Sequence, residues 1–173
     1  ANYESLVSYN QEEKYLLDSL NSDNFKYHQN VYSAYLTYRF AIKKYSFRIG
    51  SRIEQTGVKG DFIKSSTRVR QDYTTFMPSL FVSRKFASIH TLSFSYNKRL
   101  TRPYIWDLNP FVNNTDSLNL YFGNPNLDAE LYHAFELAYT VFKGKTNINV
   151  RLRESFSNTQ ITRYSFLDEN TGI

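Results

Sequence analysis

Most of the chain alternates between apolar and polar side chains with a period of two residues. Between residues 30 and 40 the odd positions are largely polar, whereas the even positions are apolar: Tyr32, Ala34, Leu36, Tyr38 and Phe40. Because successive side chains of a β-strand point to opposite faces, this segment is predicted to be a strand with one apolar and one polar face. The alternation recurs at residues 45–54, 76–85, 91–100, 133–142 and 146–156. The sequence therefore predicts six strands of about ten residues each.

The predicted connections between these strands alternate in length. Short links are expected at residues 41–44, 86–90 and 143–145, and long ones at 10–29, 56–72 and 100–130. Short turns at one end and long loops at the other indicate an antiparallel up-and-down meander. Lysines and aromatic residues also concentrate beside the short links, as at a membrane interface; the aromatic residues are Tyr38, Phe40, Tyr45, Phe86 and Phe142.

An alternating pattern of this kind fits two physical settings. In a soluble sandwich or lipocalin-like barrel, the apolar face is the inner one and the polar face meets water. In an outer-membrane barrel, the apolar face meets lipid and the polar face lines an aqueous lumen. The strand length, the lysine-flanked short turns and the asymmetry of the loops favour the membrane barrel.

Composition narrows the possible classes of protein. The 173 residues include 15 Tyr and 14 Phe but one Met and one Trp, and no apolar run is long enough for a transmembrane helix. The absence of cysteine excludes disulfides and thiolate chemistry. The formal net charge is +5, but acids lie between the basic residues. This distribution favours a solvated or lumen-lining role over nucleic-acid binding.

The longest interruption, at residues 100–130, contains two Asn-Pro elements. Asn109 and Asn124 each precede a proline, so both are expected to be extended, and a proline does not fit inside a strand ladder. Gly123 can take a positive φ without strain. The segment is therefore predicted to be a structured loop whose motif residues are Pro103, Pro110, Gly123, Asn124, Pro125 and Glu130.

The order of these elements resembles the barrel domain of TonB-dependent outer-membrane receptors, specifically the outer-membrane β-barrel family of Bacteroidetes-type bacteria. The resemblance covers the chain from about Phe25. It rests on the following residues: Arg99, Arg102 and Pro103, then Leu108 to Phe111, then Gly123 to Pro125 with Leu127 and Glu130, then Glu136, Leu137 and Tyr139. Ala129 stands where the family usually has proline.

The resemblance implies an all-β fold, an antiparallel meander of about six to seven strands that forms a segment of a large transmembrane barrel in the bacterial outer membrane. The expected division is a lead-in loop at 1–29, four strands at 30–99, the long extracellular loop at 100–130 and two strands at 131–160. No plug domain is expected in this chain. Because a segment cannot close a wide barrel, its strand edges are expected to self-associate.

The implied function is transport of a large nutrient, a glycan or a metal chelate. The implied partners are outer-membrane lipid and, in the full-length parent, a plug domain, a TonB-type energy coupler and a surface lipoprotein. The alternative is a self-contained soluble or small β-barrel module that binds a ligand. No enzyme, cofactor or metal site is expected, because the three histidines have no ligand spacing and no catalytic motif is present.

Two groups of candidate site residues follow. The polar positions of the alternating pattern are expected to face the lumen, and they include Arg39, Arg48, Arg52, Glu54, Arg151 and Arg153. These arginines have two possible roles, in binding an anionic ligand or in pairing with acids on the plug and neighbouring strands. The second group is expected to contact ligand or plug, or to brace the rim: Arg99, Arg102, Trp106 and Asn109.

Overall fold

The computed structural model describes residues 2–5, 8–11, 14–17, 23–63, 65–87, 89–112 and 120–165. These ranges contain one short helix, α1 (Ile105–Leu108), and nine strands: β1 (Asn2–Ser5), β2 (Ser8–Gln11), β3 (Lys14–Leu17), β4 (Asp23–Ile42), β5 (Tyr45–Phe62), β6 (Thr67–Phe86), β7 (His90–Thr101), β8 (Glu130–Lys143) and β9 (Thr146–Ser157). No helix in this part of the chain is long and apolar enough to cross a membrane.

Seven of these strands form one antiparallel sheet in the order β1-β4-β5-β6-β7-β8-β9, and β2 pairs with β3 separately. From β4 onward each strand pairs with the next one along the chain. The prediction of an all-β, up-and-down meander is confirmed, and its six strands correspond to β4 through β9.

Pairing in register gives the sheet two chemically distinct faces. One face, here called the outer face, carries the apolar positions of the alternating pattern in every strand from β4 to β9. Leu36 on β4 and Leu152 on β9 are both 71% exposed, and Ile49 on β5 is 48% exposed. The opposite face, here called the inner face, carries Arg39 and the other polar positions. Residues of this size are seldom so exposed in water, so the outer face needs an apolar environment that the described residues do not supply.

The strands are longer than the sequence pattern predicts, and two predicted loops are wrong. Residues 1–29 include β1 and the beginning of β4 at Asp23, and residues 56–72 include the end of β5 at Phe62 and the start of β6 at Thr67. Strands β4, β5 and β6 therefore extend well past the segments in which the alternation was recognised, whereas β7 and β9 match their predicted segments to within one residue at each end.

The reason is that the two faces exchange polarity partway along the strands. Beyond Glu54 the inner-face positions of β5 become apolar at Val58 and Phe62, whereas the outer-face positions become polar at Lys59 and Asp61. The period of two continues through this exchange. If the same alternating positions are taken as apolar along the whole chain, the predicted strand ends where the two faces exchange polarity.

Four of the aromatic residues predicted at the short-turn end, Tyr38, Phe40, Tyr45 and Phe86, lie on the outer face, whereas the register places Phe142 on the inner face. Phe40 stacks on Phe47 with ring centroids 4.8 Å apart, and Tyr45 stacks on Phe47 at 6.2 Å. The Arg84 guanidinium lies 5.2 Å from the ring centroids of both Tyr45 and Phe86. Rings beside a cation at one height suit a membrane interface.

Candidate functional site

The long loop between β7 and β8 folds back onto the inner face of the sheet. Its residue Leu108 is 1% exposed and packs with Phe25, Phe62 and Val69, which come from β4, β5 and β6. Ile105 and Leu127 of the loop border this cluster. Burying a side chain of this size contributes about 1.5–3 kcal/mol, so the cluster is a substantial anchor. The apolar inner-face positions near the long-loop end therefore exist to hold the loop.

Trp106 adds an aromatic contact to this anchor. Its ring meets Phe25 edge to face, with centroids 5.3 Å apart and an interplanar angle of 85°. Phe25 also lies 5.6 Å from Phe62. Edge-to-face pairs contribute about 0.5–1.5 kcal/mol beyond the area they bury. Because Trp106 stays 46% exposed, it both anchors the loop and presents a ring to solvent.

A charged clasp, defined here as Glu54, Arg102 and Arg52, joins the base of the loop to β5. Glu54 is 5% exposed and forms ion pairs with Arg102 and with Arg52. The Arg102 guanidinium also donates to the Thr56 hydroxyl at 2.9 Å and 3.2 Å. A buried carboxylate is costly unless it is paired and hydrogen-bonded, and these contacts meet that requirement.

The two Asn-Pro elements of the loop have the same local structure. The Asn109 side chain accepts a hydrogen bond from the Phe111 amide at 3.0 Å, and the Asn124 side chain accepts one from the Asn126 amide at 2.9 Å. In each case the proline lies between the acceptor and the donor, so the element is an Asx-turn in which the proline presets φ. This geometry explains why the sequence has Asn before Pro at both places.

The two elements are also joined to each other through their backbones. The Gly123 amide donates to the Asn109 carbonyl at 2.7 Å, and the Asn124 amide donates to the Asp107 carbonyl at 2.7 Å. A Cβ on Gly123 would lie against the Asp107 carbonyl, closer than van der Waals contact allows. Gly123 does not adopt the positive φ that glycine permits, since Gly144 is the glycine with a positive φ among the described residues. Glycine is required here for the close approach of two backbones.

Asp107 links the helix α1 to the segment after β9. Its carboxylate accepts a hydrogen bond from the Tyr104 amide at 3.2 Å and pairs with Arg163 at 2.8 Å. The hydrogen bond to Asp107 raises the pKa of the Arg163 guanidinium. The Arg163 guanidinium also lies 5.8 Å from the Tyr121 ring centroid. The loop is thus held from two sides.

Further polar contacts anchor the second half of the loop. The Gln71 amide donates to the Leu127 carbonyl at 2.8 Å, and the Thr159 hydroxyl donates to the Ala129 carbonyl at 3.1 Å. Gln71 belongs to the part of β6 that β7 does not pair with, because the β6–β7 ladder begins at Ser79. The loop occupies the inner side of the sheet where β7 has already ended.

A row of side chains crosses the inner face below the loop. The register places these residues opposite one another on six successive strands: Arg39, Arg48, Phe81, Ser95, Glu136 and Arg153. Arg153 pairs with Glu136 at 2.6 Å, and the Arg48 guanidinium lies 5.1 Å from the Phe81 ring centroid. Arg39 and Arg48 are directly opposite like charges, which is unfavourable in an isolated sheet.

The register places all the predicted lumen-facing residues on one face. Arg52 and Glu54 follow Arg48 along β5 on the inner face, and Arg39 lies opposite Arg48 on β4. Arg151 lies two residues before Arg153 on β9 and therefore shares its face. The structure describes the geometry of this face. That each of these residues contacts an aqueous lumen stays a prediction.

The four residues predicted to contact ligand or plug have different surroundings. Arg102 forms the clasp, and Trp106 packs on Phe25. Asn109 is 7% exposed, and its side chain accepts a hydrogen bond from the Phe111 amide within the loop. Arg99 is exposed on the inner face, opposite Tyr132. Of the four, Arg99 and the exposed part of Trp106 have the accessibility that a ligand contact requires.

The loop-motif residues also divide by role. Pro103 is buried at the base of the loop, and Pro110 and Pro125 follow the two Asx-turn asparagines. Glu130 begins β8 opposite Thr101, where the sheet resumes. The sequence analysis missed Thr56 and Asp107, whose partners come from distant parts of the chain. A partial signal for Asp107 was its acidic position three residues after Tyr104, at a helix start.

Among the described residues, no group of three or more His, Asp or Glu side chains is arranged to hold a metal ion. The geometry is that of a folded loop fixed over one face of a sheet, with arginines exposed beside it.

The model of a family described as the outer membrane protein beta-barrel family matches residues 1–173. A comparison of folds finds similarity to the siderophore receptor PirA from Pseudomonas aeruginosa, with a TM-score of 0.43 and 15% sequence identity, over 80% of this chain and 32% of that chain. The chain thus spans about a third of the length of that receptor. No curated protein matches the sequence.

Proposed function

Because the chain belongs to the outer membrane protein beta-barrel family and is located in the bacterial outer membrane, we propose that it forms part of the wall of a TonB-dependent receptor that imports a large nutrient. The nutrient is a glycan or a metal chelate. The outer face then meets lipid, and the inner face meets the interior of the barrel.

The observation that carries this proposal is the position of the long loop. In bacterial barrels, short turns lie on the periplasmic side and long loops on the extracellular side. The loop is packed against the inner face by Leu108, by the clasp and by Arg163. A loop fixed in this way narrows the extracellular mouth and presents Trp106 and the neighbouring inner face to an incoming ligand. This arrangement suits a selective receptor better than an open pore.

The inner-face arginines support a role in recognition or in holding a plug. Arg39 and Arg48 lie opposite each other, and neither forms an ion pair with a carboxylate of the described residues. An acidic partner would relieve their repulsion. In the proposed receptor this partner is an acidic side chain of a plug domain or an anionic group of the transported molecule, and no chemical step is catalysed.

The alternative, a self-contained soluble or small-barrel binding module, requires the apolar parity to line a closed interior. Leu36, Ile49 and Leu152 lie instead on the exposed face of an open sheet in the described residues. The proposed partners are therefore lipid on the outer face, further strands at the sheet edges, a plug domain, an energy coupler and a surface lipoprotein.

The test is uptake by cells that carry the full-length gene, with and without the energy-coupling protein. Labelled ferric chelates and oligosaccharides are expected to give coupler-dependent uptake of one class. Arg39→Gln with Arg48→Gln is expected to lower uptake of an anionic nutrient about tenfold at equal surface abundance, the scale of one lost charged contact.

Lys43→Gln with Lys44→Gln removes the same charge at a short turn and is expected to leave uptake unchanged. Uptake that persists fully without the coupler would contradict the import proposal and indicate a passive channel. If uptake depends on the coupler but the arginine pair has no effect, the pair is excluded from recognition while import stands.

A further inference from the structure

The extended parts of β4, β5 and β6 carry two basic rows on the outer face. The first row pairs His28 with Lys59 and Lys59 with Arg70. The second row, one step further toward the long-loop end, pairs Lys26 with Asp61 and Asp61 with Arg68. These side chains point away from the long loop, on the same face as the exposed apolar residues, and those at Lys26, His28, Lys59, Arg68 and Arg70 are exposed.

Among the side chains that the structure describes, carboxylates do not balance the positive charges in these rows. Asp61 pairs with Arg68 at 3.5 Å, so one carboxylate is already engaged. Lys59 and Arg70 are directly opposite each other, and neither forms an ion pair with a carboxylate of the described residues. The next row toward the short turns adds Asp72 opposite Gly57, which still leaves an excess of positive charge. Like charges directly opposite on neighbouring strands are destabilising unless an anion lies between them.

The height of these rows is set by the strands themselves. At about 3.4 Å per residue and a tilt of about 40°, Lys59 lies roughly 36 Å from the short turn that precedes Tyr45. The lipid-exposed apolar band of such barrels is about 25 Å tall. The rows therefore lie on the order of 10 Å beyond the hydrocarbon, at the level of outer-leaflet headgroups.

Apolar side chains lie further toward the short turns on the same strands, beyond outer-face positions occupied by Asn30, Gln55, Asp72 and Thr74. Tyr32, Ile53 and Phe76 are 70%, 49% and 54% exposed on the outer face. A cationic strip above exposed rings and aliphatic side chains matches a molecule with a negatively charged head and acyl chains. Neither a free anion nor an acidic protein explains the apolar part of the surface.

We infer that this strip is a binding site for an anionic lipid of the outer leaflet. The lipid's phosphate groups contact Lys59, Arg70 and Lys26, and its acyl chains lie along Tyr32, Ile53 and Phe76. The site requires the outer-membrane location but not import, and it lies on the face opposite the long loop.

The test uses the full-length protein in nanodiscs of zwitterionic lipid, with binding of phosphorylated lipid A measured by native mass spectrometry. Lys59→Gln with Arg70→Gln is expected to weaken binding about 30-fold, since each basic residue near a membrane surface contributes about fivefold. Lipid A from which the phosphates have been removed is expected to bind both proteins equally weakly.

The matched control is Lys143→Gln with Lys145→Gln, which removes two charges at the opposite end of the sheet and is expected to leave binding unchanged. Each variant is compared for heat-modifiable migration on gels, so that a folding defect is separated from a binding defect. Equal binding of phosphorylated lipid A by the Lys59/Arg70 variant and the wild type would overturn the inference. Displacement of the lipid by millimolar inorganic phosphate would also overturn it, because the site would then recognise small anions.

Discussion

Glu54→Gln is expected to release the long loop from the inner face of the sheet. The substitution keeps the shape of the side chain but removes the charge that pairs with Arg102 and Arg52. Glu54 is buried, whereas the Arg102 side chain retains 24% exposure, so part of the lost pairing is recovered by solvent. Removing one partner of a buried ion pair costs about 3–5 kcal/mol, and we expect about 2–3 kcal/mol here because of this partial exposure.

The measurement is hydrogen exchange at the Asn124 amide, which donates to the Asp107 carbonyl only while the loop is folded. Glu136→Gln is the matched control, because Glu136 also pairs with an arginine on the inner face, but the side chains in that pair are 64% and 26% exposed. An exposed pair contributes about 0–1 kcal/mol. If the two substitutions change loop opening equally, the clasp does not hold the loop.

A double-mutant cycle isolates the clasp from other effects of substitution. Glu54→Gln combined with Arg102→Gln is expected to cost less than the sum of the two single changes, because each single change removes the same Glu54–Arg102 ion pair and the double change loses it only once. Additive costs in exchange at Asn124 would mean that Glu54 and Arg102 act independently.

Gly123→Ala is expected to separate the two Asn-Pro elements. The added methyl group would overlap the Asp107 carbonyl, which is backbone and has little freedom to move because Asp107 lies in α1. The separation also removes two backbone hydrogen bonds of 2.7 Å. Overpacking costs about 1–3 kcal/mol and each of the two hydrogen bonds about 1 kcal/mol, so we expect a total of about 3–5 kcal/mol.

Gly57→Ala is the control for this change, since no atom lies within 4 Å of a Cβ at Gly57. We expect it to alter stability by less than about 0.5 kcal/mol. Protease cleavage within residues 120–127 on intact cells, together with exchange at Gly123 and Asn124, would show the difference. Equal cleavage of the two variants would contradict the close backbone approach at Gly123.

The sequence predicted a strand correctly where the same alternating positions stay apolar along its length. From Tyr32 to Phe40 the apolar parity faces one side without exception, and the predicted strand lies within β4. This pattern changes beyond Glu54, because the inner face there packs against the long loop and the outer face there is solvated. The exchange of polarity at Val58 and Lys59 would have marked both the end of the apolar band and the continuation of the strand.

The loop was predictable in part for a similar reason. The local consequences of Asn109-Pro and Asn124-Pro depend on neighbouring residues, and both form turns that the side chains stabilise. Contacts between distant residues are different. Arg102 and Glu54 are 48 residues apart, and Arg163 and Asp107 are 56 apart, so a single sequence gives no signal for either pair.

The chain contains no cysteine, which permits the most direct measurement of which face meets lipid. Single cysteines at residues 35–39 of β4, labelled with a fluorophore in the membrane-embedded protein, are quenched by nitroxide-bearing lipids or by a water-soluble quencher. We expect lipid quenching at Leu36→Cys and Tyr38→Cys, and aqueous quenching at Thr37→Cys and Arg39→Cys. Quenching without this alternation, or lipid quenching at Thr37 and Arg39 instead, would contradict the assignment of the apolar face to the membrane.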